Sequence, residues 1–337
     1  MSNSRQSLPS DGSTALSRSR DTERAAYPPQ TRGTALVLGG GGAAGNAWEI
    51  GIIAGLAEAG LDLTATADLV VGTSAGATTA AQVRSGIPVT DLLASVLAGP
   101  DRPAGPDQRQ PRSLPMATVF ERMRAIGAAA NSAADLQRAM GAFGLECDSV
   151  LGSGAGRQRR AIVAARLPRR EWPDRPMTVV ALDARTGELA AFDRDSGVDL
   201  VDAVTASCAL PGLVPTHRIN GGRYIDGGVR STENADLAAG YAHVIVVSPL
   251  SGRRLAPTDR GAGPAGRFEG LRRFPGMDPA SQVEALGQEG SQVALITPDA
   301  DSRAAMGVNQ MDPATRGPAA RAGFAQGQRE GRHLTLR

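Results

Sequence analysis

The chain contains no lysine: all 36 of its basic residues are arginine. That absence excludes a Schiff-base mechanism, a lysine-containing phosphate loop and the lysine with which kinases contact ATP phosphates. A GC-rich coding bias explains it without a functional cause. Aromatic residues are scarce at 3%, which argues against stacked platforms for nucleic-acid bases. The net charge of +2 is too small to point to DNA. Cys147 and Cys208 form no repeated metal-ligand pattern, and two cysteines cannot staple a chain of 337 residues, so a reduced cytoplasmic setting is expected. Long apolar runs are missing too, since the most apolar window, Gly42 to Leu61, carries Asn46, Glu49 and Glu58. The first 32 residues lack the apolar core of a secretion signal. Their Ser- and Arg-rich composition with Asp11, Asp21 and Glu23 reads as a disordered tail.

What remains is an ordinary globular composition, 41% apolar and 21% charged, with 42 glycines. Length alone allows one or two domains. Order is expected from about Thr34, where TALVLG reads as a buried parallel strand stopped by glycines. A helix follows in which Trp48, Ile52, Ile53 and Leu56 recur at helical spacing. The unit then repeats: a strand over Leu69–Val71, a tight GTSAGA turn and a second helix. Further helices are expected over Pro88–Leu97, Met116–Ala130, Ser132–Phe143, Arg157–Leu167 and Asp199–Cys208. Further strands are expected over Met177–Leu182, Leu189–Phe192, Arg223–Ile225, His243–Ser248 and Val293–Thr297. Residues 99–115 read as a lid or insertion, and 251–276 as a flexible basic loop. Alternating strands and helices predict an α/β layered fold.

Two glycine-rich turns carry the chemistry. Gly72-Thr-Ser-Ala-Gly76, between a strand and a helix, is the context in which Gly-x-Ser-x-Gly exposes a reactive serine, Ser74. The plain alternative is a helix-capping serine. Gly39 to Gly42 with Gly45 also fits a dinucleotide fingerprint. That reading needs an acidic residue at the end of the second strand, and the Ser74 turn stands there instead. In an acyl-transfer reading the same glycines offer backbone N–H groups to a tetrahedral oxyanion. The serine then needs a base. His243 opens a strand, His217 lies in a Pro-flanked turn and His333 is in the tail, so none is well placed. Asp226, in Tyr-Ile-Asp-Gly-Gly, is the better candidate: a strand-end carboxylate that neighbouring glycines allow to approach closely and that burial would make a stronger base. Its alternative is an Asp-Gly turn.

Taken together, Gly39-Gly-Gly-Gly-Ala-Ala-Gly45, Gly72-Thr-Ser-Ala-Gly76, Ala206-Ser-Cys-Ala-Leu-Pro-Gly212 and Asp226-Gly-Gly228 resemble the patatin-like phospholipases, bacterial type. The resemblance implies a three-layer α/β/α fold with a central, mostly parallel sheet, and one acyl hydrolase domain over residues 33–332. It implies a Ser74–Asp226 dyad without histidine, an oxyanion hole from the backbone around Gly40, Gly41 and Gly42, and no metal or cofactor. The implied reaction is hydrolysis of fatty-acyl esters of phospholipids or lysophospholipids through an acyl–Ser74 intermediate. A carboxylesterase or thioesterase with the same dyad, and a lipid-binding protein without turnover, are the alternatives. The implied partner is a lipid or acyl ester, with no nucleic acid. One position departs from the pattern: relatives commonly carry Arg or Lys just before the last glycine of the first loop, and here Ala44 stands there. Any positive charge at that loop must come from an arginine elsewhere.

Other residues read more plainly. Trp48 and Glu49 could touch substrate, but a helix-face Trp fits core packing better. Cys208 reads as small-residue packing, Asp183 as a turn acid, and Asn234 and Asp236 as helix caps. Arg253, Arg254, Arg272 and Arg273 give the 251–276 loop a means of peripheral contact with anionic lipid, against the simpler reading of a solvated loop.

Overall fold

The computed structural model describes residues 32–99, 114–152, 154–251 and 274–334. The tail up to residue 31, residues 100–113 of the expected insertion, and the loop arginines Arg253, Arg254, Arg272 and Arg273 lie outside the described residues.

Strand β1 (Arg32–Leu38) is buried on both faces, as its unbroken apolar run requires. Leu36 and Leu38 join one core, while Ala35 and Val37 join another on the opposite face. The glycines stop the strand, and helix α1 (Gly42–Glu58) returns along the sheet. After the short helix α2 (Leu63–Thr66), strand β2 (Leu69–Thr73) pairs with β1 in parallel and feeds helix α3 (Ala75–Val83). Helices α4 (Val89–Ala98), α5 (Met116–Ala129), α6 (Ala133–Leu151) and α7 (Ala155–Ala164) follow. Helix α6 runs well past the expected end at Phe143, because Gly144 faces Ile225 and Thr216 in a tight contact instead of breaking the helix.

Strand β3 (Met177–Asp183) joins β2 in parallel and β4 (Leu189–Phe192) in a hairpin. Helix α8 (Leu200–Ser207) is capped by Asp199, whose carboxylate accepts the N–H groups of Val201 and Asp202. Strands β5 (His217–Ile219) and β6 (Gly222–Asp226) form a second hairpin. His217 therefore belongs to a strand and not to the expected turn, because Asn220 and Gly221, both at positive φ, make the reversal three residues later.

Strand β7 (Tyr241–Val247) pairs in parallel with β1 on its other edge. It is followed by helix α9 (Pro279–Gln288) and the parallel edge strand β8 (Gln292–Ile296). The sheet runs β5-β6-β3-β2-β1-β7-β8, with β4 beside β3. The β1–β2, β2–β3, β1–β7 and β7–β8 pairings are parallel, and the two hairpins and the long-range β3–β6 pairing are antiparallel.

Helices α10 (Ala300–Met306) and α11 (Arg316–Gly331) close the chain. Here glycine acts as a packing surface: a Cβ on Gly51 or Gly55 of α1 would stand 2.2 Å from a backbone oxygen of α11, at Ala320 and Phe324 respectively. The two helices touch backbone to backbone, which seats the start of α11 beside the glycine loop. Among the described residues no helix is long and apolar enough to cross a membrane.

Candidate active site

The parallel strands deliver their C-terminal ends to one edge of the sheet, the usual place for chemistry in open α/β folds. Register then decides which residues meet there. Thr73 of β2 stands opposite Val180 of β3, and Asp226 of β6 stands opposite the next residue, Ala181. Strand β4 occupies the other edge of β3 at both positions. Strands β2 and β6 therefore lie end to end on one edge, with their C-termini meeting. Ser74 and Asp226, remote in sequence, are brought together at that junction.

Ser74 sits at φ 54°, ψ −113°, a left-handed conformation that costs a non-glycine residue about 1–3 kcal/mol. Neighbouring groups hold it there. Its N–H donates to Ser207 Oγ at 2.8 Å. Its carbonyl accepts from Cys208 Sγ at 3.2 Å and from the Ala77 N–H at 3.1 Å. The flanking glycines are obligatory: a Cβ on Gly72 would stand 2.6 Å from Ala77 Cα, and one on Gly76 would stand 2.0 Å from the Leu38 carbonyl oxygen. The side chain of Ser74 remains half-buried.

Asp226 is 4% exposed. Its carboxylate accepts the Gly228 N–H at 2.8 Å and a hydrogen bond from the Ser74 hydroxyl. Burial pushes its pKa up to about 6, against the pull of those two bonds and of the Arg159 charge. Asn234, itself in the left-handed region and fully buried, braces the junction. Its Nδ2 donates to Thr73 Oγ1 at 3.1 Å and to the Gly227 carbonyl at 3.3 Å.

The glycine loop lies against this pair. A Cβ built on Gly40 would be 3.6 Å from Ser74 Cβ, and the Gly39 carbonyl accepts the Gly76 N–H at 3.0 Å. The Gly40 N–H, expected to be free, donates to the Thr232 carbonyl at 2.8 Å. The N–H groups of Gly41, Gly42 and Ala43, at the start of α1, have no acceptor among the described residues. Ala44 is fully buried, and its N–H goes to the Gln310 carbonyl at 3.0 Å.

The remaining candidates stand elsewhere. His217 Nε2 is bonded to Asp202 at 2.8 Å, and burial pulls its pKa below the ordinary value. His243 lies opposite Thr34, four residues before the C-terminal end of its strand, so about 13 Å of strand separates it from the junction. Trp48 is core, as its helical spacing suggests. Glu49 is buried beneath the glycine loop and accepts from Thr79 Oγ1 at 2.6 Å. Burial first, and the charge of Glu233 in addition, hold Glu49 well above the usual carboxylate range. Asp183 is a turn acid that accepts the Arg185 and Thr186 N–H groups. Asp236 pairs with Arg230. The sequence reading missed Ser207, whose only outward sign was its place in the Ala206–Gly212 segment. It also missed Asn234 as a brace between Thr73 and Gly227.

Among solved structures, VipD from Legionella pneumophila is similar over 89% of this chain and 66% of that one, at 16% identity and a TM-score of 0.39. The chain thus spans just under two thirds of that protein. No curated protein sequence matches it. The model of the patatin-like phospholipases matches residues 36–239. That span runs from β1 through both glycine turns and past the strand that ends in Asp226, and the chain belongs to the patatin-like phospholipase family.

Proposed function

We propose that residues 33–332 form one serine acyl hydrolase domain that cleaves fatty-acyl esters of phospholipids or lysophospholipids. Ser74 is the nucleophile, Asp226 its base, and Gly72 and Gly76 shape the nucleophile elbow. The observation that carries this reading is the Ser74 hydroxyl, half-exposed on a strained turn and bonded to a buried carboxylate with a pKa of about 6.

In the first step Asp226 accepts the Ser74 proton as Oγ bonds to the ester carbonyl carbon. The charge gathers on the carbonyl oxygen, where the N–H groups of Gly41 and Gly42, with Ala43, donate to it. Each such donor contributes about 2.7–4 kcal/mol to the transition state. Collapse of the intermediate breaks the ester C–O bond, and Asp226 returns the proton to the departing alcohol. Water then attacks the acyl–Ser74 carbonyl, gives a proton to Asp226 and releases the fatty acid, and the proton goes back to Oγ. A carboxylate with a pKa near 6 suits both directions of transfer at neutral pH, being ionised yet more basic than an exposed aspartate.

A fluorophosphonate probe tests the reading. Wild type is expected to be labelled and to release fatty acid from phosphatidylcholine or its lyso form, and Ser74→Ala is expected to do neither. Labelling that persists in Ser74→Ala, or that is absent from wild type, refutes it.

A further inference from the structure

Three arginines, on α7, just past it and at the start of α11, stand near the glycine loop and the Ser74–Asp226 junction. Arg159, on α7, acts through its charge on both Asp226 and the Cys208 thiol, and its Nε is buried with no hydrogen-bond partner among the described residues. Arg166, just past α7, has its carbonyl held by Gln82 Nε2 of α3 at 3.1 Å, and its charge also reaches Cys208. Arg316, the first residue of α11, donates from Nη1 to Asn46 Oδ1 at 2.9 Å and to the Ala43 carbonyl at 3.5 Å. Asn46 Nδ2 in turn donates to Gln82 Oε1 at 2.9 Å. A run of hydrogen bonds thus links Arg316 and Arg166 through Asn46 and Gln82, beside the glycine loop.

These charges oppose one another. Burial first, and then the charge of Arg159, hold Arg166 below its ordinary pKa, and burial and then Arg166 do the same to Arg316. Among the described residues none of the three has a carboxylate within salt-bridge distance, whereas Arg160, next to Arg159, is paired with both Asp199 and Asp202. Arg159 and Arg316 are half-buried while Arg166 keeps more exposure; like charges held together favour a multivalent anion, and guanidinium forks match the oxygens of phosphate.

We propose that Arg159, Arg166 and Arg316 form a subsite for a phosphate group carried on the alcohol portion of the acyl-ester substrate. The inference rests on the hydrolase reading above and names its substrate class: phosphate-bearing acylglycerols in preference to neutral ones. The positive charge that Ala44 does not provide is supplied from α7 and α11.

Binding can be measured without turnover in Ser74→Ala, which separates this inference from the fate of the hydrolase reading. Monoacylglycerol phosphate and monoacylglycerol of one chain length, each below its aggregation threshold, are titrated calorimetrically beside inorganic phosphate. The phosphorylated lipid is expected to bind at least ten-fold tighter than the neutral one and than inorganic phosphate, with an affinity that falls as salt rises. Arg159→Gln, Arg166→Gln and Arg316→Gln, each checked for an unchanged unfolding midpoint, are expected to cut that preference to below three-fold. Arg332→Gln, about 24 Å along α11 from Arg316, is expected to leave it intact. Equal binding of the two lipids overturns the proposal. So does inorganic phosphate binding as tightly as the lipid, or a preference that survives all three substitutions.

Discussion

Asp226→Asn should remove hydrolysis and at the same time stabilise the protein. The carboxylate is buried, and its pKa is raised from 3.8 to about 6 with burial as the largest cause. Below pH 3.8 it is protonated in both folded and unfolded chains, and the site carries no penalty. Between pH 3.8 and about 6 the unfolded chain releases a proton that the folded one retains. Stability then falls by about 1.36 kcal/mol per pH unit. Above pH 6 the loss is complete at about 3 kcal/mol. Asparagine keeps an acceptor for the Gly228 N–H without the charge. The variant should therefore match wild type near pH 3.5 and exceed it by about 3 kcal/mol at pH 8. At about 2–4 °C per kcal/mol that is a midpoint rise on the order of 6–12 °C. Thermal or urea unfolding of both proteins across pH 3.5 to 8 measures the gap. A variant no more stable than wild type at pH 8, or a gap that does not grow with pH, would refute the idea that desolvation of this carboxylate sets its basicity.

Two further outcomes follow from the same geometry. Ser207→Ala leaves the Ser74 N–H without its acceptor at the strained residue; it should cost about 1–3 kcal/mol of stability and lower kcat more than it raises KM, as steady-state kinetics on a soluble ester would show. The rising limb of kcat/KM against pH should have an apparent pKa of about 6, that of Asp226, and should be unmoved in His217→Asn and His243→Asn; a limb that shifts or vanishes in either variant would assign the base to histidine.

Local sequence was enough to determine the strand–glycine–helix units, because each consists of neighbouring residues obeying a short-range rule. An apolar run ends at glycines and a helical period begins. Ser74 and its flanking glycines were legible for that reason, and so was Asp226 as a strand-end carboxylate. Tertiary structure alone decided the rest. That Asp226 meets Ser74 follows from register on β3, where Thr73 and Asp226 oppose consecutive residues, and no spacing in the chain encodes it. That Gly40 is engaged, while Gly41 and Gly42 have no acceptor among the described residues, rests on the Thr232 carbonyl, which lies beyond Asp226 in sequence. The glycines of α11 serve a backbone contact with α1 that only the packed pair can show. The lysine-free composition determined that any cation at the site is an arginine. Which arginines stand near it depends on tertiary contacts, through which Asn46 of α1 and Gln82 of α3 tie Arg316 to the segment after α7, since charges from distant segments meet only when helices bring them together.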